Sequence, residues 1–359
     1  MPLIWCSISA HGFGHAAQVV PVLNELGPLV PSLKVILRTE VPARFFEDRL
    51  HVPWELSPAQ QDIGCVQRGP LQIDVEATWA AYQGFHADWD ARVGVEAEAI
   101  RSAAPDLVLA NISHLAIEAG SRAHVPTVGL GTLSWDGVLE PLHDAGRSDQ
   151  IDIIRKIRQA YRLAEVMIRP APAIAMSPFQ KVRDVAPIAS LVSPEVARLR
   201  EAVGAGAHER VVVIAFGGID IENLPFDRLG RLTGYRFVVS GTVPNGWTRG
   251  CAATAVPLSF AVVMASADIV MSKPGYNTTT EVVAHGKPLV YVRRANFADE
   301  QALIEYLGRY GRAVELTWAD FSKGNWEEAL DAVLLRAPRH KAPAPTGAAE
   351  AAAILKEYV

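Results

Sequence analysis

Short apolar runs alternate with amphipathic helical patterns along the first half of the chain, at residues 2–9, 33–38, 106–110 and 126–130, each followed by a polar or glycine-containing turn. Runs this short and continuous predict strands buried on both faces, and their alternation with helices predicts a mostly parallel sheet. The rhythm restarts at residues 209–216 and continues through 235–240, 268–271 and 288–292. Between the halves, a helical pattern over 149–164 gives way to an irregular, proline-containing stretch over 169–194, where a domain boundary is expected. The expectation is an α/β chain of two doubly wound, Rossmann-like domains, 1–190 and 191–340, facing a cleft. A Pro/Ala-rich linker and helix-prone tail over 341–359 either frays or packs back on the first domain.

The 359 residues exceed the ~250 at which single cores stop growing. A composition of 50% hydrophobic and 20% charged residues supplies two buried cores. A net charge of -5 gives no basic field for a phosphate backbone, so nucleic acid is excluded as a partner. Cys6, Cys65 and Cys251 are too few and too scattered for a disulfide framework or a CxxC metal site, and a reducing, cytoplasmic setting is expected. The opening residues lack the basic segment of a signal peptide, and no apolar run reaches the ~18 residues that would span a bilayer. One basic, amphipathic stretch over 149–169, with Arg155, Lys156, Arg158 and Arg162, fits either peripheral contact with anionic lipid or an ordinary domain-linking helix.

Candidate chemistry begins directly after the first strand, at Ala10-His11-Gly12-Phe13-Gly14-His15, ahead of a helical pattern. Gly12 and Gly14 allow the backbone to approach a ligand, and the free N–H groups of the helix start favour an anion or an electron-rich oxygen. His15 is the candidate general base, since an imidazole of pKa about 6.5 accepts a hydroxyl proton at neutral pH. A lone histidine more often caps or packs; a second histidine and two glycines at a strand end bring the readings level, with His11 the rival. The third glycine of a dinucleotide fingerprint is missing, so no nicotinamide cofactor is expected.

The stronger pattern is SKPGYNTTTEVVAHGKP at residues 272–288, a loop that opens a helix. Gly275 permits close approach, and the first-turn amides of Tyr276 and Asn277, with the hydroxyls of Thr278 and Thr279, would cradle a diphosphate on the helix dipole while Lys273 adds a cation. Glu281 is placed to accept two hydrogen bonds from a ribose diol. The alternative is a capping sequence with Glu281 on a solvated face. Gly217 and Gly218, after Phe216, form another strand-end turn suited to a phosphate or base. Asp299, Glu300 and Gln301 either bind sugar hydroxyls or complement a helix dipole.

In Gly275, the Thr-rich turn, Glu281 and Gln301, the second half resembles the carboxy-terminal domain of glycosyltransferase family 28, typified by the peptidoglycan N-acetylglucosaminyltransferase. Nearly the whole chain is similar to the glycosyltransferase-like region of plant L-arabinokinases, through HGFGHA at 11–16, Ser134-Trp135-Asp136, FGG at 216–218, KPGYNTTTE at 273–281 and VRRANFADE at 292–300. The resemblance implies the GT-B fold, with an acceptor-side first domain and a donor-binding second one. It implies inverting transfer from a nucleotide sugar, UDP-linked, to a hydroxyl acceptor, with Glu281 on the ribose and Gln301 on the donor sugar. The nucleotide sugar is then a substrate, and no cofactor is implied. Pro274, Asn277 and Glu300 depart from the peptidoglycan enzyme's pattern and leave the donor sugar open. Kinase activity is not implied.

On the acceptor side the candidates are Asn111, His114, Trp135 and Asp136, and either Asp62 or Asp136 is a candidate to orient His15. No metal is expected: Asp88-Trp89-Asp90 falls in a helical pattern, where positions two apart diverge and cannot readily share a cation. Two other functions remain open, a sugar-nucleotide epimerase on the same fold and a non-catalytic nucleotide-sugar-binding module.

Overall fold

In a computed structural model, which describes residues 1–217 and 224–359, the chain builds two wholly parallel sheets. The first contains β1 (Leu3–Ile8), β2 (Lys34–Arg38), β3 (Trp54–Ser57), β4 (Leu107–Asn111), β5 (Thr127–Leu130), β6 (Val166–Pro170) and β7 (Val182–Val185), in the order β3-β2-β1-β4-β5-β6-β7. The second contains β8 (Arg210–Ile214), β9 (Tyr235–Val239), β10 (Gly250–Ala252), β11 (Ile269–Ser272), β12 (Pro288–Tyr291) and β13 (Arg312–Glu315), in the order β10-β9-β8-β11-β12-β13. Central strands are mostly apolar because helices cover both faces; β4 is buried at every position.

All eight expected runs form strands. Five further strands were not legible as such. Four of them, β3, β7, β10 and β13, are sheet edges with few buried positions, so they lack a continuous apolar signal. Within the stretch expected to be irregular, β7 pairs with β6, its Asp184 bound to Arg169. The Ser148–Tyr161 helix turns Ile153, Ile154, Ile157 and Tyr161 into the first core, and Arg158 pairs with Asp136 and Glu140. Its main apolar face is therefore covered, as in an ordinary packed helix, while Ile151 and Leu163 stay exposed. No helix among the described residues is long and apolar enough to cross a membrane.

In each sheet the strand order reverses beside the first strand, with β1 between β2 and β4, and β8 between β9 and β11. A crevice opens outside the carboxyl ends of the strands at such a reversal, because the flanking helices leave in opposite directions. The histidine loop follows β1, Asn111 ends β4, Gly217 follows β8 and Gly275 follows β11. Both switch points thus carry the residues singled out above.

The halves are joined tightly behind these loops. Tyr276 and Thr280, one helical turn apart, face the connecting segment: the Ile188 N–H donates to the Tyr276 hydroxyl at 2.9 Å, that hydroxyl donates to the Ala171 carbonyl at 3.2 Å, and Thr280 Oγ1 donates to the Ile188 carbonyl at 2.9 Å. The Gly347–Leu355 helix returns to pack Ala351, Ala352 and Leu355 on the Gly14–Leu26 helix. Tyr276→Phe strips both hydroxyl contacts from a buried site and is expected to destabilise the chain by about 1–3 kcal/mol, read as a lower urea midpoint; an unchanged midpoint would show that the junction carries no stability.

Candidate active site

His11 and His15 flank the indole of Trp135, each with its ring centroid 6.0 Å away. Their roles separate on hydrogen bonding. The Cys65 N–H donates to His11 Nδ1 at 3.4 Å, and the Gln67 amide stands 2.9 Å from His11 Nε2. Burial and the neighbouring charges of His15 and Lys273 push His11 down to about 3, so its ring is neutral, with the proton on Nε2. Gln67 must then present its oxygen there, which also satisfies the otherwise orphaned Gln67 Oε1. His11 is thus engaged on both sides and packs over Gly64, where a Cβ would meet the ring at 2.4 Å.

His15 is different. It sits in the first turn of the Gly14–Leu26 helix, and its buried Nδ1 has no hydrogen-bond partner. Burial pushes it down to about 4, opposed by Asn111 and by the charge of Asp299 from the second domain. Neither expected carboxylate orients it. Asp62 accepts from Ser9 Oγ and Trp135 Nε1, both at 2.9 Å, and burial raises it to about 6; Asp136 accepts from Arg158 Nε at 3.1 Å.

Across the cleft, Gly275 is the N-cap of the Tyr276–Ala284 helix, with no side chain capping it and nothing within 4 Å of the position a Cβ would take. The first-turn amides there face open space, the arrangement that favours an anion. Lys273 lies over Gly217, whose φ of +72 favours glycine and where a Cβ would meet Lys273 Cε at 3.3 Å. Arg294 bridges Asp299 at 2.9 Å and Glu300 at 3.2 Å, leaving Lys273 without an ion pair among the described residues. Burial and the Arg294 charge depress Lys273 to about 8. Asn277 and Glu281, one turn apart, face the first domain: Asn277 Nδ2 donates to the Gly14 carbonyl at 3.1 Å, and the charge of Arg49 reaches Glu281. Burial raises Glu281 to about 7, and its carboxylate takes part in no hydrogen bond among the described residues.

Other sequence candidates are placed elsewhere. Gly12 turns the loop at φ +76, exposed beside His11. The Tyr276 side chain is buried in the junction, so only its backbone N–H faces the cleft. Thr279 is fully buried, which takes its hydroxyl away from a diphosphate, while Thr278 stays partly exposed. Glu300 is held by the Arg294 backbone and guanidinium, and exposed Gln301 donates to Glu305 at 3.0 Å. His114 lies in the first core, against the rings of His86 and Trp89. Asp90 pairs with Arg122, and no metal-holding cluster of three or more His, Cys, Asp or Glu occurs among the described residues. Gly218 lies outside the described residues. A cavity of about 420 Å³ is lined by Glu140, His143, Arg155, Arg158 and Arg162, and its Arg158 pairs with Asp136, the neighbour of Trp135.

A contact missed in the sequence closes one side of the cleft. The Ala295 N–H donates to the Leu71 carbonyl at 2.7 Å, Leu71 packs on the second domain's core, and Phe297 and Ala298 pack on the first domain's. Neither segment has a periodic pattern that announces this exchange.

Two Rossmann-like units whose switch points face one another define the GT-B glycosyltransferase fold. Solved structures of that fold match over nearly the full chain. They include MurG from Acinetobacter baumannii (TM-score 0.59, 15% identity, 99% of this chain and 100% of that one), and a UDP-glucose: anthocyanidin 3-O-glucosyltransferase in complex with UDP (TM-score 0.64, 13% identity, 99% and 94%). Among curated proteins the chain is similar to the L-arabinokinase of Arabidopsis thaliana, 26% identical over 337 residues, covering 90% of this chain and 31% of that protein. The chain thus spans about a third of the length of that curated relative. No family model matches the chain.

Proposed function

We propose that the chain transfers a glycosyl group, with inversion, from a nucleoside-diphosphate sugar to a hydroxyl acceptor. The carrying observation is the uncapped helix start at Gly275, with Lys273 beside it, which has no ion pair among the described residues, facing His15 across one cleft. His15 takes the acceptor's O–H proton as that oxygen bonds to the sugar's C1. The bond from C1 to the diphosphate oxygen breaks with its electron pair, and the nucleoside diphosphate leaves. Charge growing on the leaving group is met by the Gly275 helix amides and Lys273, which stabilises the transition state more than the ground state. These groups carry the diphosphate without a metal ion. Glu281, without a hydrogen bond or ion pair among the described residues and held at about 7, binds the ribose diol as acceptor of two hydrogen bonds. The relative solved with UDP makes a UDP-sugar the first donor to try.

Thermal shift against nucleotides and nucleotide sugars tests the donor site. UDP or a UDP-sugar is expected to raise Tm, and Glu281→Ala to abolish the rise. A native chain indifferent to every nucleotide sinks the reading. Interconversion of two sugar nucleotides without any acceptor product, seen by NMR, would replace transfer by epimerisation.

A further inference from the structure

β4 ends at Asn111, which is fully buried. Its Nδ2 donates to the Leu130 carbonyl at 2.9 Å at the end of the neighbouring strand. An amide carries its donor and acceptor on one carbon, so this bond fixes which way the group points and turns Oδ1 away from Leu130. That oxygen is buried without a partner, and so is Nδ1 of His15; the two are brought together because β1, which leads to His15, pairs with β4 at Ile8 and Asn111, and Gln18, one turn after His15, bonds to Thr132 just beyond Leu130. The contact is short of a complete hydrogen bond, as catalytic contacts often are before substrate tightens them.

Only one pairing satisfies both orphaned atoms. A carbonyl oxygen accepts and cannot donate, so His15 Nδ1 must carry the proton; a neutral imidazole has one N–H, so Nε2 is left bare. No carboxylate competes for the position. Asp62 is occupied by Ser9 and Trp135 on its two oxygens, and Asp136 is held away by Arg158 through Oδ2, its Oδ1 bonded to neither histidine. His11 cannot substitute, because both its nitrogens are engaged with the 65–67 segment.

Building on the transfer reading above, we infer that Asn111 is the positioning residue of the reaction, holding His15 Nδ1–H so that Nε2 takes the acceptor's proton. The partner of the base is thus a neutral amide. It selects the tautomer and aims the ring but adds no negative charge to stabilise the imidazolium. Among the described residues, the opposite charge that reaches it is Asp299, supplied from the second domain and shared with Arg294.

The tautomer is read directly by NMR on native protein labelled with ¹⁵N-histidine, the His15 signals assigned by difference from His15→Gln. An Nδ1–H, bare-Nε2 pattern is expected, and an Nε2–H pattern overturns the proposal. This measurement needs no substrate, so it stands whether or not transfer is found; absence of transfer with every acceptor would sink the transfer reading instead. Two variants then read the consequence. Asn111→Leu is expected to lower kcat by about 10²-fold with donor KM unchanged. Asn111→Asp, which places a charge behind Nδ1, is expected to restore activity and move the acid limb of the kcat/KM profile up by about one to three pH units. An unaltered kcat and pH profile in Asn111→Leu also overturns the assignment.

Discussion

His15→Ala is expected to cut glycosyl transfer by about 10²- to 10⁴-fold while nucleotide-diphosphate binding stays as in the native chain. The two effects separate because the groups lie on different domains: the proposed proton acceptor follows β1, and the proposed diphosphate cradle follows β11. His11→Ala supplies the contrast. It removes a neutral ring that ties the glycine loop to Cys65 and Gln67, so its effect should appear first as a lower melting temperature. Single-turnover product formation alongside nucleotide titration resolves both. A His15→Ala chain turning over at the native rate would remove His15 from the chemistry.

Acid is expected to unfold the protein well before its surface carboxylates protonate. His86 and His114 stack at 5.2 Å in the first core beside Trp89, with Nε2 atoms 3.1 Å apart and both Nδ1 atoms buried and unpartnered. Burial pushes His86 down to about 4, helped by the charges of Lys156 and Arg92, and pushes His114 well below its ordinary value. A folded pKa below the unfolded one means that the unfolded chain binds more protons. The stability these rings contribute is therefore full above about 6.5 and is lost as pH falls toward the folded value of about 4. For His86 alone the loss is about 3 kcal/mol. Asp62 and Glu281 act in the other direction, because carboxyls held at about 6 and about 7 favour the fold as pH falls through those values. The acid limb is accordingly shallower than the histidines alone would make it. Urea midpoints from pH 7.5 to 4.5 measure the slope. His86→Phe, which keeps a ring against Trp89, should flatten it, and an equally steep variant would count against the buried pair as its source.

The sequence carried much of the site because glycines and histidines at the ends of apolar runs are local signals. Gly275, Lys273 and His15 were legible for that reason, and the fold places them at the two switch points. Helix phase settled the rest. Tyr276 adjoins Gly275 in sequence, yet its side chain rotates back with Thr280 to the junction at Ile188, while Asn277 and Glu281 turn toward the first domain. His114 has the same composition-level appearance as His15 but heads a helix that buries it. The use of Asn111 depends on a single carbonyl at Leu130, which no pattern in the chain reveals. Edge strands escaped because a half-solvated strand has no reason to be continuously apolar.

The exchange between Leu71 and residues 295–298 bears on how such a protein can be altered. The segment leading to Asp299 fills part of the first domain's interior, and Leu71, from the first domain, fills part of the second's. A chimera cut in the connecting segment would therefore separate two loops that complete each other's packing. Recombination that respects this shared packing must carry residues 66–74 along with 293–299.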